Sequence, residues 1–258
     1  PQSNAGTGNT TYQIGGANVD STFNGSIRSN TAVATSAVVL HKVGTGRLTL
    51  TGSSTYTGGT IVSNGMLFAN NETGSATGSG TVAVRSGATL GGNGFISGAT
   101  TIENDATLRP GDPIGTLTFG SSLTLQSGAI TVFDLGATSD QVVVNGALSA
   151  AGTIHVNASS GFAAGTYTLF TSGGAMTIGA LQLGTTPEGF DCVLNTSTPG
   201  QIRLVVTSIA PPNPPGITNV YAVGNDLVLS GDGGIPSGSY YVLGTTNIAL
   251  PIENWSRI

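Results

Sequence analysis

The side chains that could do chemistry in this chain are few. His41 and His155 are the only histidines, and the candidate carboxylate pairs are Glu103 with Asp105 and Asp134 with Asp140. Two carboxylates flanking one bond could hydrolyse a glycoside. Glu103-Asn104-Asp105, however, reads as a turn by composition. His155 alternates within a β-branched run, as a strand-surface residue does, and His41 precedes a strand in the same way. No Gly-x-Ser-x-Gly elbow presents a serine nucleophile. The glycine-rich stretch 74–80 does not lead into a helix, so it is not a phosphate loop. Arg109 lies near Asp112 in sequence, and the two are read as structural. No calcium-binding repeat or EF-hand loop occurs, and no cofactor or metal is expected. Cys192 is the single cysteine, so no intramolecular disulfide can form; inside Phe190–Leu194 it reads as a small buried hydrophobe. Six Asn-x-Ser/Thr sequons (Asn9, Asn24, Asn71, Asn157, Asn195 and Asn254) occur at close to the chance rate for this composition. The chain is therefore predicted not to be an enzyme, and a polysaccharide-active enzyme is the least favoured reading.

The composition explains why the chemistry is sparse. Of 258 residues, 41 are glycine, and about a quarter are Ser or Thr. Charged residues make up 7%, against about 25% in ordinary soluble domains. Seven scattered Lys and Arg cannot build a basic face for nucleic acid. The positive mean hydropathy is the opposite of a disordered acidic chain. No apolar run is long enough for a membrane-spanning helix. Fifteen aromatics do not supply the girdles of a membrane barrel. No secretory leader is evident at the start, and the chain reads as beginning after processing.

The elements that must position these residues are short strands separated by Gly, Asn-Gly, Ser-Gly and Asn-Asp turns. Expected strands include 47–51, 60–62, 66–69, 81–84, 99–102, 116–119, 122–125, 130–135, 141–144, 153–156, 166–170, 180–183 and 201–206. A small-residue turn followed by leucine recurs at Leu48, Leu67, Leu90 and Leu108. A period near 20 residues predicts an all-β solenoid, a parallel β-helix in which each coil stacks on the last. A β-sandwich or jelly roll is the competing architecture. At 20 residues per coil, residues 1–208 would give roughly ten coils over about 50 Å. Like charges stacked 4.8 Å apart would repel, whereas Thr, Ser and Asn ladders do not, so the low charge follows from the architecture.

The stretch Lys42-Val43-Gly44-Thr45-Gly46-Arg47-Leu48-Thr49-Leu50-Thr51-Gly52, then Thr55-Tyr56-Thr57-Gly58-Gly59-Thr60 and Asn64-Gly65-Met66-Leu67, resembles the autotransporter-associated β-strand repeat, also called the passenger-associated transport repeat. Further segments of the same pattern are Gly74–Gly80, Ser86–Gly92 and Arg109–Leu117. The resemblance implies a right-handed parallel β-helix in an exported protein, extracellular or on a bacterial surface, and no chemistry.

A proline-rich segment, 209–216, reads as a stiff linker. Beyond it, 217–258 resembles part of a fibronectin-like sandwich module. It is too short to complete one. A subunit with an incomplete module and a β-helix with open ends suggests self-assembly into a surface fibre. The segment Thr10–Phe23 is the candidate exchanged strand, and Tyr12, Ile14, Val19, Phe23, Tyr240 and Trp255 are the candidate assembly contacts. A monomeric surface adhesin or stalk that binds glycans or cells is the alternative.

Overall fold

The computed structural model describes residues 9–29, 37–209, 216–223, 226–232, 243–244 and 256–257. The chain divides into two compact units, Pro1–Ser208 and Ile209–Ile258. Among the described residues every regular element is a strand.

The first unit winds through seven coils. These are β1 (Thr10–Ile14) and β2 (Ser21–Phe23); β3 (Val38–Lys42) and β4 (Arg47–Leu50); β5 (Thr60–Val62) and β6 (Met66–Ala69); then β7 (Val82–Val84), β8 (Thr89–Gly92) and β9 (Phe95–Ile96). They continue with β10 (Thr100–Ile102), β11 (Thr107–Pro110) and β12 (Thr116–Phe119); β13 (Leu123–Leu125), β14 (Ile130–Leu135) and β15 (Gln141–Val144); and β16 (Leu148–Ala158) and β17 (Gly165–Ser172). Three strands close the unit: β18 (Met176–Leu183), β19 (Phe190–Asn195) and β20 (Gln201–Ser208).

Each strand pairs in parallel with the equivalent strand of the next coil, which makes the fold a parallel β-helix and removes the sandwich alternative. One face stacks β1-β3-β5-β7-β10-β13-β16, with β18 added to β16; the second stacks β2-β4-β6-β8-β11-β14 and also ends on β16. The eleven-residue β16 serves both faces. The third face, β9-β12-β15-β17, is parallel until β20 and β19 close it in antiparallel order. In the earlier coils the third side is irregular but still bonded from coil to coil, as in Thr55 N–H to Ile27 O at 2.9 Å and Ala76 N–H to Phe95 O at 3.0 Å.

The core is built of residue ladders. Leu48, Leu67, Leu90 and Leu108, the leucines that set the period, stand in register on one another and are all fully buried. On the first face the inward row is Tyr12, Leu40, Thr60, Val82, Thr100, Leu123, Leu148 and Met176. Eight rungs at about 4.8 Å per step span about 34 Å, shorter than ten coils would give. The coils are wider than 20 residues at both ends, from Tyr12 to Leu40 and from Leu148 to Met176, and the last forty residues fold back antiparallel instead of adding rungs.

The inward threonines are satisfied locally. Tyr56, fully buried, shares a 2.6 Å hydrogen bond with Thr60, and Thr100 Oγ1 donates to Gly98 O. Burial pushes the Tyr56 phenol far up, the Thr60 bond opposing it. Corners need residues with no side chain. Gly44 has φ +68, and a Cβ there would stand 2.0 Å from Gly15 O of the coil before.

In the second unit, β21 (Gly216–Val223) and β22 (Asp226–Asp232) form an antiparallel pair, and β23 (Leu243–Gly244) pairs with β24 (Ser256–Arg257).

Candidate functional site: the open end of the first coil

The first coil forms both terminal strands of the large sheet, because the hydrogen-bonded path starts at β1 and finishes at β2. Among the described residues each is paired on one side only. Thr10 N–H donates to Ala37 O, and Val43 N–H donates to Ile14 O. In a parallel ladder alternate residues bond to one neighbour, so Thr10, Tyr12 and Ile14 serve β3, and the amides and carbonyls of Thr11 and Gln13 face the open edge.

Above this edge lies a groove of about 530 Å³ lined by Tyr12, Ile14, Phe23, Ser26, Ile27 and Arg28. Tyr12 and Ile14 are half-buried against the core, and Phe23 is 39% exposed. Three of the six assembly contacts expected from sequence therefore line one hollow. Val19, 63% exposed, lies outside that lining, and its backbone packs close to Gly46. Tyr240 and Trp255 lie outside the described residues. The segment named as an exchanged strand sits, in this single chain, on the edge of the chain's own solenoid. Ile27 and Arg28 were not singled out in the sequence; their only signal was an apolar residue beside a cation in a loop.

The opposite end of the first unit is also built of half-buried core residues: Met176, Leu181 and Leu183 on β18, and Phe190, Cys192 and Leu194 on β19. Cys192 is thus half-buried where the sequence suggested full burial, and its thiol is pushed up by desolvation and by Asp191. Phe162 stacks on Tyr167 with ring centres 5.4 Å apart and meets Phe190 edge-on at 4.9 Å. Ile178 and Val193 are exposed on these outer strands.

The chemically capable residues are distributed along the solenoid rather than gathered. His41 Nε2 bonds Ser63 Oγ at 2.7 Å, and His155 Nδ1 bonds Thr185 Oγ1 at 2.8 Å, each linking neighbouring coils. Glu103 pairs with Arg85, and Asp105 holds a left-handed turn at φ +61. Arg109 and Asp112, neighbours in sequence, take different structural partners. Arg109 reaches Asp134 at 3.3 Å, while Asp112 bonds Arg47 and Asn70, the latter at 2.6 Å. The loop after β11 curls back across two coils to make those contacts. Arg47 also lies 4.0 Å over the Phe68 ring, which in turn covers Gly91, where a Cβ would stand 2.9 Å from Phe68 Cζ.

Asp140 is fully buried and accepts the amides of Gly115 at 2.9 Å and Asp134 at 2.8 Å. Desolvation pushes its carboxyl up to about 6, and the two amide bonds hold it back. Lys42, the only lysine, is 1% exposed, and its ammonium donates to Val43 O, Gly44 O and Asn64 O at 2.8, 2.9 and 3.2 Å. Burial lowers its pKa, with Asp20 opposing. The lysine that carries the sequence resemblance is therefore a clamp between the corners of two coils. Asn71 is buried with its amide donated to Thr73 O and Gly74 O, so that sequon is not presented to solvent. Among the described residues no group of three metal-ligating side chains gathers, and no helix is long and apolar enough to cross a membrane.

Residues 40–67 match the family model of the passenger-associated transport repeat. The matched stretch runs from the last part of β3 into β6 and contains the Lys42 clamp and the first two members of the leucine ladder. No curated protein matches the chain.

Proposed function

We propose that this protein, carrying a passenger-associated transport repeat within a parallel β-helix, is a non-enzymatic structural protein of a bacterial surface or its extracellular space. Its solenoid adds copies of itself end to end into a fibre. The observation that carries this reading is the edge of β1, with backbone groups at Thr11 and Gln13 unpaired among the described residues, beside the apolar Tyr12, Ile14 and Phe23. An uncovered edge of this kind is a template for another strand. The complementary surface is β18, the last rung of the face that β1 begins. A second copy's β1 set on β18 would continue the same parallel ladder and bring Tyr12 and Ile14 against Met176 and Ile178. That contact is head-to-tail, and repeated head-to-tail contacts generate filaments when they do not close. Low charge leaves little repulsion between copies.

The test is Gln13→Pro. The Gln13 amide points to the open edge, so proline removes no bond within the chain but blocks the ladder to a neighbour. Negative-stain microscopy and sedimentation of the native chain should show linear assemblies that grow with concentration. The Gln13→Pro chain should remain monomeric with an unchanged circular dichroism spectrum. A monodisperse native chain refutes the fibre and leaves the monomeric stalk; equal assembly by both refutes the β1 edge as the joint between copies.

A further inference from the structure

A second hollow lies on the flank of the solenoid, away from the open edge. It has a volume of about 580 Å³ and is lined by Asn70, Asn71, Glu72, Asn93, Gly94, Phe95 and Thr118. Two of these residues are its frame. Asn70 donates to Asp112 and accepts from Asn93 N–H, and Asn71 donates to Thr73 O and Gly74 O and accepts from Phe95 N–H. Both asparagine amides are consumed, and the floor they make is tied to three successive coils.

The remaining polar groups are unspent. The Glu72 carboxylate, the Asn93 side-chain amide and the Thr118 hydroxyl have no hydrogen-bond or ion-pair partner among the described residues. Glu72 and Asn93 are exposed, and Thr118 is half-buried. Beside them the half-buried Phe95 ring lies along Gly120, where a Cβ would come 2.6 Å from Phe95 Cζ, so the ring is seated against backbone. The nearest cation in this network, Arg47, is taken by Asp112.

The geometry points to a binding site for a neutral saccharide. A ligand here must offer hydroxyl donors to a carboxylate, exchange hydrogen bonds with an amide and a hydroxyl, and lay an aliphatic face on an aromatic ring. A sugar ring without charge does all of these. Phosphate, sulfate or uronate groups would meet Glu72 with no free cation to balance it. The volume falls in the range of small-molecule sites, about 300–1,000 Å³. The framed floor means that binding orders few side chains, which keeps the entropy cost low. This site is separate from the open edge and does not depend on end-to-end assembly.

The experiment is saturation-transfer NMR on the full chain with a panel of neutral hexose and N-acetylhexosamine di- and trisaccharides, plus uronate and sulfated counterparts. Transfer to neutral sugars is expected, weakened about tenfold or more by Asn93→Ala and by Glu72→Gln, since each removes a hydrogen bond at the ligand. Both side chains are exposed, and an unchanged thermal transition in each variant keeps the comparison valid. Thr118→Val gives a third, independent loss. No transfer from any neutral sugar, equal affinity in all variants, or preferential binding of the charged probes would each overturn the assignment.

Discussion

Replacing Lys42 with methionine keeps the apolar stem and removes the ammonium. The three carbonyls it holds belong to Val43, Gly44 and Asn64, so the loss falls on the corners of two adjacent coils at once. Nζ is surrounded by three acceptors, and an ammonium has three donors, so the cation is the form this corner accommodates. A hydrogen bond to a charged group contributes about 1.5–3 kcal/mol net. The Asn64 carbonyl belongs to an exposed residue and regains water when the ammonium goes, which lowers the sum. The expected cost is about 2–4 kcal/mol, a large share of a typical stability of about 5–15 kcal/mol. At about 2–4 °C per kcal/mol the melting midpoint should fall by roughly 5–15 °C. Arginine should not rescue it, because a planar fork cannot aim three donors at three converging carbonyls. A second assay reads the same burial. Because Lys42 is the only lysine, amine-reactive labelling of the folded chain should modify the terminal amine alone, and labelling after denaturation should add one more group. A methionine variant within about 0.5 kcal/mol of the native chain, or rapid native labelling of Lys42, would refute the clamp.

Three further outcomes follow from the same framework. Asp140 has its pKa raised to about 6, so between about pH 4 and pH 6 the folded chain binds more protons than the unfolded one, and its contribution to stability falls as pH rises through that window. The effect is about 1–3 kcal/mol. Asp140→Asn, which turns an amide donor toward a buried N–H, should be less stable at pH 7, and the native-minus-variant difference in denaturation midpoint should change across pH 4–6; a flat difference counts against it. Leu90→Ala opens the leucine ladder between Leu67 and Leu108 and should cost about 2–5 kcal/mol, while outward-facing Thr89→Ala should stay within about 0.5 kcal/mol by urea unfolding. A double-mutant cycle on Arg47 and Asp112 should return a coupling of about 0.5–1 kcal/mol despite their 65-residue separation; zero coupling would mean that the loop after β11 is not fastened by this pair.

Much of the fold was legible because solenoid period is a one-dimensional signal. Strands such as Thr60–Val62, Met66–Ala69 and Ile130–Leu135 were bounded correctly by their flanking turns, and the recurring leucines turned out to be one physical ladder. The strands Thr89–Gly92 and Thr107–Pro110 were placed by the repeat at Leu90 and Leu108 but not bounded, because Gly91, Gly92 and Pro110 punctuate them. The neighbouring coils hold them extended, a tertiary cause that local propensity cannot report. The burial of Lys42 was illegible for a related reason: its acceptors are backbone carbonyls, which every sequence has. Asp112 found Arg47 rather than the nearer Arg109 because distance across a solenoid is counted in rungs, not residues. The apolar residues of Thr10–Phe23 were named as assembly contacts of a candidate exchanged strand, and three of them line the end groove; the flank hollow rests on Asn93 and Thr118, whose freedom is defined by the bonds their neighbours make.

The double membership of β16 has a mechanical meaning. Two stacks begin at the same open end, and both run onto this one strand, whose pairing with β18 shifts register between Ala150 and Gly152. A force applied at the amino terminus would load the rungs one after another, like a zipper, releasing a coil of 18–28 residues at each step, about 60–100 Å of slack. At β16 the two rows converge, and both must yield together. The solenoid is thus a graded spring with a stop, soft and stepwise from its free edge and stiffest where its two faces are sewn into a single strand.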